Sequence, residues 1–114
     1  MIYLAAPYTH PDKTVTNKRM ETFAIVDAGL ISAGEHTVSP LSKHFNTQYA
    51  KMNTTWEFWQ VYAEELMEAC DELCVITMDG WEESPGCRAE IAMARAHKMK
   101  IRYLDPTLFT NQGE

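Results

Sequence analysis

The sequence predicts an α/β fold: a small doubly wound, Rossmann- or flavodoxin-like parallel sheet of about four strands, with helices on both faces. Three observations predict it. Short apolar runs alternate with longer helical stretches in the order strand, helix, strand, helix, strand, helix, strand, and such alternation builds parallel sheets through crossover helices. Turn-forming prolines and glycines punctuate the runs. The chain has 114 residues, which suits one small domain. Residues 1–106 are read as that domain and residues 107–114 as a polar, loosely held tail.

The first strand is Ile2-Tyr3-Leu4-Ala5-Ala6, ended by Pro7. After the loop Pro7-Tyr8-Thr9-His10-Pro11, Asp12 can cap a helix reaching Ala33. Val15, Phe23, Val26 and Leu30 share one face of it, widened by Met20, Ala24 and Ile31, and Gly34 is a natural stop. His36-Thr37-Val38-Ser39 is a short strand closed by Pro40, and Leu41 to Asn53 reads as irregular with one helical turn. Thr54 or Thr55 can cap a second helix from Trp56 to Cys70. The clearest buried strand is Leu73 to Met78, followed by the turn Asp79-Gly80-Trp81-Glu82-Glu83. Ser84 then caps a third helix, with Pro85 at its first position, continuing to Lys98. The last strand is Lys100 to Leu104.

Composition limits the function. Hydrophobic residues make up 46% and charged residues 23% of the chain, values ordinary for a soluble globular protein. A core this small would gain from a partner subunit. No apolar run approaches the ~20 residues that span a membrane, and the N-terminus does not read as a signal peptide. The net charge of −6 argues against a nucleic-acid polymer as partner, while a helix N-terminus can still hold one small anion. Cys70, Cys74 and Cys87 form no Cys-x-x-Cys pair, and His10, His36, His44 and His97 show no metal spacing. No cofactor or metal is therefore expected, and a reducing, cytoplasmic setting fits the cysteine usage.

Ligands of open parallel sheets bind outside the carboxyl ends of the strands. The loops that matter are then Pro7 to Asp12, Ser39 to His44 and Asp79 to Glu90. Ser84 and Gly86 precede free backbone N–H groups and allow close approach of a ligand; taken alone, Ser84-Pro85 is also an ordinary helix cap. Glu90 lies a turn and a half into the third helix, among Ala89, Ile91, Ala92 and Ala94. A carboxylate at the rim of such a surface would be partly desolvated and suited to catalysis, yet most helical glutamates are solvated. Asp79 could bond a sugar or base, although Asp-Gly is a common turn dipeptide. Trp81 could stack on a base or simply pack. His44 and His10 stand in ligand-edge loops where a leaving base would be protonated. Cys87 is near a helix N-terminus, which can lower a thiol pKa. Asp71 falls at the opposite end of its strand and reads as a turn or cap residue. Trp56, Phe58, Trp59 and Tyr62 suggest core or a subunit interface.

Three segments carry a resemblance: Ile2-Tyr3-Leu4-Ala5-Ala6-Pro7-Tyr8, Cys70-Asp71-Glu72-Leu73-Cys74-Val75-Ile76, and Ser84-x-Gly86-x-x-x-Glu90. They resemble the nucleoside 2-deoxyribosyltransferase superfamily, which includes the 2'-deoxynucleoside 5'-phosphate N-hydrolases. Pro7-Tyr8, Trp56-x-x-Trp59 and Asp79-Gly80-Trp81 resemble more nearly the small phage and bacterial proteins of the DUF1937 type. The superfamily resemblance implies that Glu90 is a nucleophile attacking the anomeric carbon of a nucleoside or nucleotide. It implies that Ala6, Pro7 and Tyr8 line the pocket, with Tyr8 positioning sugar or nucleophile, and that Ser84 lies by the sugar or its phosphate. Together with the small size of the chain, it implies a homodimer. One departure stands out: the aspartate usual on the second helix is replaced by Ala63, with Glu64 beside it. The expected function is thus an N-glycosidase, hydrolytic rather than transferring. A non-catalytic nucleotide-binding module of the same fold is the alternative, and an assembly protein using the Trp56–Trp59 surface is a third reading.

Overall fold

The computed structural model describes residues 1–110. Four strands, β1 (Ile2–Ala5), β2 (Thr37–Val38), β3 (Glu72–Ile76) and β4 (Lys100–Leu104), form one sheet. Helices α1 (Lys13–Ser32), α2 (Trp56–Glu68), α3 (Pro85–Ala96) and the short α4 (Thr107–Thr110) alternate with them, and a 3-10 helix covers Pro40–Gln48. All three strand pairings are parallel, in the order β2-β1-β3-β4. From β1 the chain steps outward to β2, then returns past β1 to β3. The connections therefore diverge between the carboxyl ends of β1 and β3, which is the topological switch point of a flavodoxin-like sheet.

Both central strands are buried on both faces, so they read as continuous apolar runs rather than alternating ones. Tyr3, Ala5, Leu73 and Val75 point to one side and pack with Ala63 and Met67 of α2 and Ile91 and Ala94 of α3. Leu4, Ala6, Cys74 and Ile76 point to the other and pack with Phe23, Val26 and Leu30 of α1. This is the doubly wound, two-sided architecture that the alternation of elements predicted.

Helix starts follow their caps. The Asp12 side chain accepts from the Thr14 N–H, Thr55 from Phe58 and Ser84 from Cys87. Helix α1 ends before Gly34, whose φ of 90° suits a residue without a side chain. Ile31, expected on the buried face of α1, is half exposed. At 100° per residue it is turned well away from the stripe of Phe23, Val26 and Leu30 that meets the sheet. The stretch expected to be irregular with one helical turn is a nine-residue 3-10 helix. Its start carries the same signature as α3, a capping serine followed by proline: the Ser39 hydroxyl accepts from the Leu41 N–H and Pro40 takes the first turn.

The expected loose tail is held at its beginning. Helix α4 brings Phe109 against the α1-side core. The ring rests on Gly29, where an added Cβ would lie 2.2 Å from Phe109 Cδ1. Residues 111–114 of that expected tail lie outside the described residues. At the amino ends of β3 and β4, Arg102 bridges Glu35 at 2.9 Å and Glu72 at 3.4 Å, and Lys100 pairs with Glu72 at 3.4 Å. This ion-pair group ties the end of α1 to the edge strand, away from the switch point. No described helix is long and apolar enough to cross a membrane.

Candidate functional site

Glu90 is the chemically distinctive residue at the sheet surface. The small residues of α3 bring that helix close to the sheet, with Cys87, Ile91 and Ala94 buried and Glu90 only 9% exposed. Its position is deeper than the rim expected from sequence. The Tyr3 hydroxyl donates a short hydrogen bond to Glu90 Oε2. Burial pushes the Glu90 carboxyl up to about 7, and the Tyr3 bond opposes part of that rise. The same burial, the charge of Glu90 and the bond to it drive the Tyr3 phenol far above its usual range, so Tyr3 stays a donor. A carboxyl near half-ionisation at neutral pH can act as nucleophile, base or acid.

Tyr3 is a residue that the sequence did not mark, and it, rather than Tyr8, is the tyrosine hydrogen-bonded to Glu90. Tyr8 is engaged elsewhere: its hydroxyl lies 3.1 Å from both ring nitrogens of His44, with ring centroids 4.8 Å apart. This pair fastens the β1–α1 loop to the 3-10 helix. A signal for Tyr3 did exist. A tyrosine inside a run bound for the core needs a polar partner for its hydroxyl, and Glu90 is the buried carboxylate that supplies it.

The other candidates occupy distinct places. Ala6 and Pro7 are buried, with Ala6 in the α1-side core, so they set the path of the loop. Ser84 caps α3, and its hydroxyl accepts the Cys87 N–H at 3.2 Å. Gly86 follows in the first turn, with only the Ser84 hydroxyl oxygen near its missing side chain, at 3.8 Å. Asp79 is exposed in a turn closed by a Trp81 N–H to Met78 carbonyl bond of 3.1 Å, and Gly80 takes the positive φ of 91°. Trp81 packs on the α2/α3-side core and against Tyr103, ring centroids 5.5 Å apart. Burial pushes the Cys87 thiol up to about 11, against the Ser84 hydrogen bond and the Arg19 charge that lower it, the opposite direction to the lowering expected at a helix N-terminus. Asp71 pairs with the Met1 ammonium at 3.0 Å at the far end of the sheet. Ala63 is buried beside Tyr3 in the core, while Glu64 is exposed. Glu64, Glu68 and His97 gather on the exposed surface with ligand atoms within 4.8 Å of one another, a common arrangement of solvated charges.

Two surface cavities flank the 3-10 helix. One, of about 570 Å³, is lined by residues from Thr47 to Thr54. The other, of about 460 Å³, lies between α1 and the 3-10 helix and includes His44. Neither includes Glu90 or Ser84. At the head of α3, the Cys87 N–H donates to the Ser84 hydroxyl, and the charges of Glu90 and Arg19 both act on the Cys87 thiol.

Fold and site together define a small flavodoxin-like α/β protein with a buried, tyrosine-held carboxyl between its sheet and α3. The chain belongs to the family described as domain of unknown function DUF1937, whose model matches residues 1–105. No curated protein matches the sequence at a significant level.

Proposed function

We propose that the protein is an N-glycosidase that cleaves the base–sugar bond of a nucleoside or nucleoside monophosphate, 2'-deoxy in the sugar, with Glu90 as nucleophile. The observation that carries this reading is the buried Glu90 carboxyl, hydrogen-bonded by Tyr3 and raised to about 7, on a helix whose head faces the ligand edge. The resemblance to the nucleoside 2-deoxyribosyltransferase superfamily supplies the chemistry. The ionised carboxylate attacks the anomeric carbon, the bond to the base breaks with its electron pair, and the base takes up a proton. Water then attacks the same carbon, releasing the sugar and restoring the carboxylate. Tyr3 holds the attacking oxygen. Ser84 and Gly86 at the head of α3, Tyr8, Asp79 and Trp81 in the adjoining loops, and His44 on the 3-10 helix are the residues proposed to meet the substrate.

The test is incubation of the protein with a panel of nucleosides and monophosphates, followed by chromatography for free base. Base release that disappears in Glu90→Gln is expected. A wild type and variant that behave alike across the panel would sink the idea.

One observation favours a second reading, a non-catalytic nucleotide-binding module. The second-helix position that carries a carboxylate in the superfamily is Ala63, closed into the core. An intact nucleotide recovered from the purified protein, without turnover, would select this reading. In either case we propose a homodimer, supported by the exposed aromatic band of α2, in a reducing cytoplasm, to which the free Cys70, Cys74 and Cys87 are suited.

A further inference from the structure

Arg19 is a residue that neither motif nor resemblance singled out. It lies in the second turn of α1, and its guanidinium reaches across the switch point. Nη1 donates to the Thr9 carbonyl at 3.0 Å, in the loop that follows β1. Nη2 rests on Gly80, in the loop that follows β3, where an added Cβ would come within 2.3 Å. Its charge also reaches the Cys87 thiol in the first turn of α3. One cation thus touches both loops that border the proposed pocket and faces the helix that carries Glu90.

Two features separate this arrangement from a structural ion pair. Arg19 has no carboxylate partner among the described residues, although the chain carries 16 acidic residues against 10 basic ones. Glu90 is held by the Tyr3 hydrogen bond, and no ion pair joins it to Arg19 among the described residues. Four of its five N–H donors remain beyond the bond to Thr9. A planar fork of unpaired donors set at a ligand edge matches the oxygens of a phosphate.

We propose that Arg19 is the anion-recognising residue of this site, and that it makes the ligand a nucleoside 5'-monophosphate rather than a nucleoside. The proposal rests on the nucleotide-pocket reading of Glu90. Gly80 belongs to the same device, since its bare α-carbon leaves room for the guanidinium.

The experiment compares a deoxynucleoside with its 5'-monophosphate in wild type, Arg19→Gln and Arg19→Lys, by base release and by calorimetric binding to Glu90→Gln protein. Wild type is expected to prefer the monophosphate. Arg19→Gln is expected to raise its KM about 10- to 100-fold, the worth of a charge-assisted hydrogen bond, and to change kcat far less. The loss on the monophosphate exceeds that on the nucleoside at least tenfold, and Arg19→Lys recovers part of it. Equal use of both ligands by wild type, or equal losses in Arg19→Gln, would overturn the proposal and leave Arg19 a loop clamp. If no base is released, binding decides: tighter monophosphate binding that depends on Arg19 sustains the inference while the glycosidase reading falls. Absence of binding to either ligand defeats both.

Discussion

At the scale of single residues, Glu90 and Tyr3 form a coupled pair whose ionisation touches both folding and chemistry. The folded carboxyl titrates near 7, against an ordinary value of 4.5. Its folded pKa is raised, so its contribution to stability is complete below about 4.5 and is lost as pH climbs through 7. A rise of this size corresponds to about 3 kcal/mol. Glu90→Gln carries no such charge, so its stability relative to wild type should grow between pH 4.5 and 8. Urea unfolding of the two proteins across that range measures the difference, and parallel curves would contradict the burial of an ionisable Glu90. Under the proposed glycosidase reading, activity should run the opposite way, because a Glu90 nucleophile must be ionised: kcat/KM rises with pH through about 7. Tyr3→Phe removes the hydrogen bond that lowers the Glu90 pKa, so the midpoint of that pH–rate profile should move upward and activity at pH 7 should fall. An unmoved midpoint would separate Tyr3 from the ionisation of Glu90.

At the scale of elements, the docking of α4 onto α1 depends on one missing side chain. In an exposed helix, replacing glycine by alanine gains about 1 kcal/mol. At Gly29 the new methyl would meet the Phe109 ring at 2.2 Å, and forced overpacking costs about 1–3 kcal/mol. The steric cost is the larger, so Gly29→Ala should lower the melting temperature. In a Phe109→Ala background the clash is gone and the same substitution should become stabilising. This reversal is the expected outcome of a thermal double-mutant cycle, and additive effects would show that α4 does not rest on Gly29. The contact also shows how a segment that is polar on average can be anchored by one aromatic residue. Composition reports the average, and packing depends on the individual ring.

At the scale of the whole molecule, Phe58, Val61 and Tyr62 leave an apolar band on the outside of α2. Trp59 links Phe58 and Tyr62 through edge-on contacts, each with centroids 5.4 Å apart. Aromatic residues gathered in this way are enriched at protein interfaces. The proposed homodimer places this band at its centre, so Phe58→Lys should convert dimer to monomer in sedimentation velocity while circular dichroism stays that of the folded chain. A wild type that sediments as a monomer at high concentration would remove the dimer from the proposal.

The sequence by itself determined the class of fold. The periodicities of β1, α1, β3 and α3, and the helix caps at Asp12 and Ser84, are local signals that each element carries within its own residues. It also marked Glu90 as a candidate, through its spacing from Ser84 and Gly86 and through the family resemblance. Only the tertiary structure decided what Glu90 touches. Tyr3 lies 87 residues away in sequence, and the two meet because β1 and β3 are neighbours in the sheet and α3 packs against β3 and β4. The same holds for Tyr8, whose partner proved to be His44, and for Arg19, which joins two loops brought together only where β1 and β3 pair. Spacing along a chain reports which residues share one helix or strand. Which side chains face each other across a sheet follows from strand order and packing depth, and those are properties of the assembled fold.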